Sequence, residues 1–529
     1  MDAITSNTNS AGDLERFGSP AASSTERTRL WLALAILLGI ALRFSGLESK
    51  PLWEDEAWTF HTATAPNGVL AISGLDPHPL SYYFLYRALP EWFFHADWAF
   101  RLPSAVFSTA SLLLFAAMLR LAGMESRLRV LSVALFAVLP INVRYAFEAR
   151  AYALAECLAV AVLAAYFLAR NRRSLMSFFI LAISVALSAH IDGFGLAAPF
   201  AVLLHTVIEM KRDANSRRSA IAVLIGGALA IPYYMFRVSY FADHEGVHAI
   251  GESGSLINGF FSRVVELSPL GIGFDQVAAS HRYAIYLAAA AGLIVLLASA
   301  RTPRAWWGEG SRRLFTLFAI ATPLIYAVLS VVLHANLMHK KYLLVVVPAL
   351  TPLFAAGVVQ LMRRARRLAF LGLLGVPLAV SVHLLVSPGG RADWRSLYEQ
   401  IKGELRAGDV FIQQRQENYP EYGFGPLRAY AWRAGYSGDP ASWIEYPAPA
   451  LQEHASGGRS GPGSASLSLR HAGLESTIGG ISPRVRIWTL TTDWMAKDRM
   501  LDLSESRRAA KSYSADGVRA TLWTFDGRL

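Results

Sequence analysis

Long apolar stretches separated by short polar connections run through residues 30–386, and beyond about residue 390 the pattern changes to short alternating segments. Eleven stretches, 30–47, 101–121, 129–147, 150–169, 174–190, 192–210, 219–237, 283–300, 314–334, 341–361 and 368–386, approach the length of about 20 residues with which a helix crosses a bilayer. Residues 1–28 are polar and rich in Ser, Thr and Ala, which predicts a disordered tail. Past residue 388, Asp393-Trp394-Arg395 opens a helical pattern through Leu405. Val410-Phe411-Ile412, Arg486-Ile487-Trp488-Thr489-Leu490 and Ala520-Thr521-Leu522-Trp523-Thr524 read as strands, and the Gly/Ser-rich stretch 456–468 reads as a mobile loop. The pattern thus predicts a polytopic α-helical membrane protein with about eleven transmembrane helices, a helical region in the first outer loop, and a small soluble α/β domain over residues 388–529.

The charges give this outline a direction. Basic clusters occupy every second connection: Arg27 and Arg29; Arg120, Arg127 and Arg129; Arg170, Arg172 and Arg173; Lys211, Arg212, Arg217 and Arg218; Arg301, Arg304, Arg312 and Arg313; Arg363, Arg364, Arg366 and Arg367. Cytoplasmic loops carry this excess. The amino terminus is therefore expected in the cytoplasm, and the first loop, the segment from about 238 to 282 and the carboxyl-terminal domain on the outer face. The first apolar run is too long for a cleavable signal peptide and no small-residue cleavage site follows it.

Composition agrees: 53% of the 529 residues are hydrophobic and only 17% charged, where a soluble domain carries roughly 25% charged residues. Because the net charge of +11 is spent on alternate loops, it reads as a topology signal, and nucleic acid is not an expected partner. Cys157 is the only cysteine, so disulfides, Cys-based metal sites and thiol redox chemistry drop out.

Candidate chemistry collects at the outer ends of the spans. Directly after the first comes Pro51-Leu52-Trp53-Glu54-Asp55-Glu56-Ala57-Trp58, three acids between tryptophans of the kind that populate a membrane interface. A carboxylate held at such a boundary is only partly solvated, which allows its pKa to be tuned for proton abstraction; a solvated acidic turn beside an aromatic belt is the alternative. Arg43, Arg101, the run from Asn142 to Tyr152 with Glu148 and Arg150, His190-Ile191-Asp192 and His339-Lys340-Lys341-Tyr342 also sit at outer ends. Single cations there can snorkel to headgroups. Acids beside them instead point to a cavity lined with both signs. Intramembrane ionisable groups also line transport paths, but no internal repeat or helix broken at the midplane is evident, so a transporter is the lesser reading. His244-Glu245-Gly246-Val247-His248 matches the zinc-protease pattern HExxH, yet its glycine and those at 251 and 254 make a poor helix, so a metalloprotease is weaker still.

Taken in order, PLWEDEAW, Asp76-Pro77-His78-Pro79-Leu80-Ser81-Tyr82-Tyr83, Arg101-Leu102-Pro103-Ser104, EARAYALA at 148–155, His190 and the Lys-Tyr at 341–342 followed by Pro348 resemble the polyprenyl-phosphate-sugar-dependent glycosyltransferases of the GT-C type. The likeness is to the bacterial branch related to protein O-mannosyltransferases, lipid A aminoarabinose transferases and galacturonosyltransferases. It covers residues 30–360 and implies a transmembrane glycosyltransferase domain over 29–387 whose first outer loop, 48–100, is catalytic.

The resemblance implies an inverting transfer from a polyprenyl-phosphate-linked sugar to a hydroxyl of a cell-envelope glycan, lipid or protein, at the outer face of a bacterial inner membrane. Asp55 matches the family's general base, with Glu56 after it orienting the acceptor or binding a metal; Glu54 is an extra acid that leaves the base open by one residue. A departing phosphate needs positive charge, for which Lys340, Lys341, Arg150 and Arg101 are the candidates. Lys341 stands where the family often has Arg, exchanging a bidentate fork for a point charge. His78, Glu148, Tyr82, His190 and Tyr342 are candidate substrate contacts. A divalent metal on Glu56 and His78 is an open alternative, since two scattered ligands do not make a coordination set.

Overall fold

A computed structural model describes residues 20–64, 80–191, 193–211, 213–242, 293–332, 340–361, 366–386, 393–406, 409–414, 425–433, 443–446, 486–492, 508–515 and 518–524. The chain is a polytopic helical membrane protein with a small carboxyl-terminal sheet. Among the described residues, five helices are long and apolar enough to cross a membrane, or six when one bent pair is counted as a span. Three shorter apolar helices accompany them, Leu175–Ile191, Phe194–Glu209 and Gly372–Val386. The described residues therefore do not carry the count to the eleven expected; most of the stretch 283–300 lies outside them.

The helices follow in order: α1 (Pro20–Ser45), α2 (Glu54–Thr64), α3 (Leu80–Arg87), α4 (Asp97–Leu121), α5 (Ser126–Val138), α6 (Pro140–Ala146), α7 (Tyr152–Arg172), α8 (Leu175–Ile191), α9 (Ala197–Glu209), α10 (Ala214–Ala242), α11 (Ser311–Val332), α12 (Lys340–Leu343), α13 (Val347–Leu361) and α14 (Arg366–Val386). The stretch 129–147, expected as one span, is α5 and α6 joined at a 50° bend. Pro140 explains the break, since it cannot donate the helical hydrogen bond and clashes with the preceding turn. The first-loop helix that opens at Leu80 stops at Arg87 for the same reason, ahead of Pro90, and a short 3-10 turn follows over Glu91–Phe94.

Arg43 does not snorkel. It is fully buried, and its guanidinium donates to Ser108 Oγ (2.9 Å) of α4 and to the carbonyls of Gly39 and Ala137 (both 2.9 Å), tying α1 to α4 and α5. Gly39 makes that approach possible: a Cβ there would meet Leu112 Cδ2 at 2.6 Å and Ala137 Cβ at 2.8 Å.

After the last apolar helix come α15 (Trp394–Ile401), β1 (Val410–Gln414), α16 (Gly425–Arg433), β2 (Trp443–Tyr446), β3 (Ile487–Thr492), β4 (Arg508–Ala515) and β5 (Val518–Thr524). The three segments read as strands from their alternation are β1, β3 and β5. They belong to one five-stranded mixed sheet of order β2-β1-β3-β5-β4, with β1 parallel to β2 and β3 and the hairpin partners β4 and β5 antiparallel. Asp393 caps α15 by accepting from Ser396 N (3.0 Å). Trp394, Leu397, Tyr398 and Ile401 form its buried stripe, and the helix ends four residues short of Leu405, ahead of Gly403.

Two hydrophobic clusters organise the molecule. One fills the apolar bundle. The other joins Leu52, Phe60, Tyr83, Tyr86 and Phe100 of the first loop and the head of α4 to Trp394, Leu397, Phe411, Leu427, Trp488 and Leu522 of the carboxyl-terminal region. The sheet region and the first loop thus share one core, and α2 lies inside it.

Candidate active site

Glu54, Asp55 and Glu56 are the first three residues of α2, where the unpaired N–H groups and the helix dipole favour negative charge. Successive residues project about 100° apart around a helix, so the three acids face different surroundings. Glu54 is half-buried, while Asp55 and Glu56 are buried, at 4% and 0% exposure.

Glu56 is gripped by Arg101 from the first turns of α4. The guanidinium forks onto the carboxylate through Nε to Oε1 (2.7 Å) and Nη2 to Oε2 (2.6 Å), and Ala149 N adds a third donor to Oε1 (3.0 Å). The other Arg101 donors reach the carbonyls of Leu47 (2.9 Å), Lys50 (2.8 Å) and Pro51 (3.0 Å), and both side chains of the pair are completely buried. A bidentate pair of this kind is strong and geometrically specific. Its position closes the chain between α1 and α2 into a fixed loop.

Asp55 has a different company. Its Oδ2 lies 3.6 Å from Lys341 Nζ, 4.0 Å from Arg150 Nε and 3.5 Å from the donating hydroxyl of Tyr152. Arg150 Nη1 is held by Tyr83 OH (3.0 Å), the Asp55 carbonyl (3.2 Å) and Thr59 Oγ1 (3.4 Å). Lys341 Nζ also stands 5.7 Å over the Tyr152 ring and 5.4 Å over the Tyr342 ring. One buried carboxylate thus meets two cations delivered by different parts of the chain, α12 and the turn before α7. A small oxyanion entering there would find both charges within reach, with the carboxylate beside it.

The remaining sequence candidates spread around this centre. Glu148 is buried and pairs with Arg144 (3.3 Å). Tyr342 stacks on Phe194 with ring centroids 3.9 Å apart. Tyr82 is buried against Tyr86 (4.8 Å between centroids), and burial holds its phenol well above the ordinary range, so it stays neutral. His190 Nδ1 bonds the carbonyl of Ala186 (2.7 Å), and its ring lies 5.5 Å from that of Tyr233, whose hydroxyl accepts from Leu80 N at the head of α3 (2.9 Å). His78, the side chain of Lys340 and the HExxH stretch 244–248 lie outside what is described. Among the described residues no group of three or more His, Cys, Asp or Glu side chains could hold a metal ion. The expected metal contact Glu56 already has both carboxylate oxygens engaged by Arg101.

The sequence motifs include Tyr152 and Tyr83 without giving either a role, and they omit Asp97 altogether. Asp97 opens α4 and is buried beneath Arg395 and Arg433, both of which donate to its carboxylate, and Tyr430 OH, which donates to Oδ2 at 3.0 Å. Along the chain Asp97 is only an acid at a helix start. Its two arginine partners lie 298 and 336 residues away, and no local pattern announces them.

No protein-family model matches the sequence, and no curated protein matches it. Among solved structures, the apo form of ArnT from Cupriavidus metallidurans aligns with a TM-score of 0.59 at 13% identity, over 95% of this chain and 98% of ArnT. ArnT bound to undecaprenyl phosphate aligns with a TM-score of 0.57 at 13% identity, over 94% and 98%. Over nearly its whole length, then, the chain has the membrane fold seen in ArnT.

Proposed function

We propose that this chain is a membrane glycosyltransferase that moves a sugar from a polyprenyl-phosphate donor to a hydroxyl acceptor of the cell envelope. The observation that carries this reading is Asp55, a buried carboxylate at the exit of the first span, facing Lys341 and Arg150. That ArnT, with the same fold, binds undecaprenyl phosphate supports the choice of donor.

In the reaction Asp55 accepts the proton of the acceptor hydroxyl as that oxygen attacks the anomeric carbon from the face opposite the phosphate. The new C–O bond forms, the old one breaks, and its electron pair leaves with the polyprenyl phosphate. The anomeric configuration inverts. Lys341 and Arg150 meet the charge that grows on the departing phosphate, the arrangement that stabilises such a transition state most directly. Arg101 and Glu56 build the loop that presents Asp55 and take no part in proton transfer. No step passes through a metal.

The tail over 1–28 lies in the cytoplasm on this reading, residues 29–387 form the transferase domain, and residues 388–529 lie on the periplasmic side of the bacterial inner membrane. Membranes with and without the protein, given radiolabelled polyprenyl-phosphate sugars, test the function. Label moving into a lipid, glycan or protein fraction only when the protein is present is the expected result. Retention of every label on its donor overturns the reading.

A further inference from the structure

Beside the centre around Asp55 lies a second charge cluster that the transfer reaction does not use, made of the buried Asp97 with Arg395, Arg433 and Tyr430. We propose that this cluster is a latch through which the carboxyl-terminal region positions the α2 helix, making Asp97 and Arg433 positioning residues for the transfer. The proposal rests on the glycosyltransferase reading for its catalytic meaning and on the contacts themselves for its mechanics.

The contacts run in two strands from one end of α4. Asp97 and Arg101 lie one turn apart on that helix. Asp97 turns to the carboxyl-terminal region, and Arg101 turns to Glu56, next to Asp55. The Lys50 carbonyl is shared between the two systems, accepting from Arg101 Nη1 and from Arg395 Nη2 at 2.8 Å each, while Arg395 Nη1 adds the Glu48 carbonyl at 3.2 Å. Tyr430 OH, which donates to Asp97, accepts from Leu52 N at 2.8 Å, two residues before α2 begins. Burial and the Asp97 charge hold that phenol above its ordinary range, so it keeps the proton it donates.

α16 also touches α2 itself. The Arg433 guanidinium lies 5.5 Å from the Phe60 ring, the Trp432 ring meets Phe60 edge-on at 5.3 Å, and Arg433 Nε donates to the Phe94 carbonyl at 2.7 Å. Phe60 sits in the middle of α2, on the helix whose first turn carries Asp55. The bonds that tie residues 47–52 to α4 and to the carboxyl-terminal region therefore end on guanidinium and phenol groups gathered around Asp97 and Arg101. A carboxylate in such a cluster cannot lose a partner cheaply, because the remaining charge is left buried.

The test uses the purified full-length protein and two readouts. Arg433→Gln and Asp97→Asn are expected to lower kcat at least about tenfold, because a misplacement of about 1 Å at a reacting group can lower the rate about a hundredfold. Donor KM should stay within about threefold, since Lys341 and Arg150 are untouched. Asp97→Glu should recover most of the loss. Hydrogen exchange of the 51–64 backbone should quicken in Arg433→Gln, while that of 152–172 stays as in the parent.

Unchanged exchange at 51–64, or activity that falls only in step with the folded fraction, overturns the latch. A parent protein that transfers no label while Arg433→Gln quickens exchange at 51–64 overturns the glycosyltransferase reading alone.

Discussion

Lys341 Nζ lies 3.6 Å from Asp55 Oδ2, a contact that joins the short helix before α13 to the first turn of α2. It pairs the group proposed to take a proton with the group proposed to hold the phosphate. Lys341 and Arg150 both face the Asp55 carboxylate. On the proposed reading, a donor phosphate arriving between them would compete with Asp55 for the same cations.

Lys341→Ala is expected to raise donor KM at least about tenfold, the equivalent of about 1.4 kcal/mol, with a smaller effect on acceptor KM. Lys341→Arg keeps the charge and should retain much of the activity. Steady-state kinetics with each substrate varied in turn decide it; an alanine variant with ordinary donor saturation would place this cation at the lipid headgroups.

Asp55→Asn is expected to abolish transfer in a folded, inserted protein. Asn keeps the shape but accepts no proton in this pH range, so a contribution of about 10²–10⁴-fold is lost. Glu54→Gln, at the half-buried position of the triplet, should change little. Transfer rates of the detergent-purified variants check this, and an active Asp55→Asn enzyme beside a dead Glu54→Gln would move the base by one residue.

Arg101→Ala is expected to fail before chemistry is reached. It strands Glu56 as a buried charge and frees three loop carbonyls, and breaking a buried pair from one side costs about 3–5 kcal/mol. Thermal unfolding in detergent should show a large drop in Tm. A variant as stable as the parent, with only donor KM altered, would return Arg101 to the phosphate.

A reporter fused after Leu529 is expected to signal from the periplasmic side, in keeping with basic clusters at alternate loops. Activity of a cytoplasm-only reporter at that position would overturn the orientation.

Several of the apolar helices, the acidic triplet at the exit of the first span, and the strands at 410–414, 487–492 and 518–524 are legible from the chain because each is a local matter. A run of apolar residues, a β alternation or a proline acts on its immediate neighbours. What a row of three acids does cannot be read that way. Asp55 and Glu56 are adjacent in sequence and about 100° apart on their helix, so one meets Lys341 and Arg150 while the other is locked by Arg101. Arg43 and Arg101 look alike as cations at span ends, and packing turns both inward onto buried acceptors. Asp97 lies further still from view, since its charge is balanced by Arg395 and Arg433, 298 and 336 residues away. Pairings of that kind are set by which helix and sheet faces share a core, a property of the folded whole that no window along the chain contains.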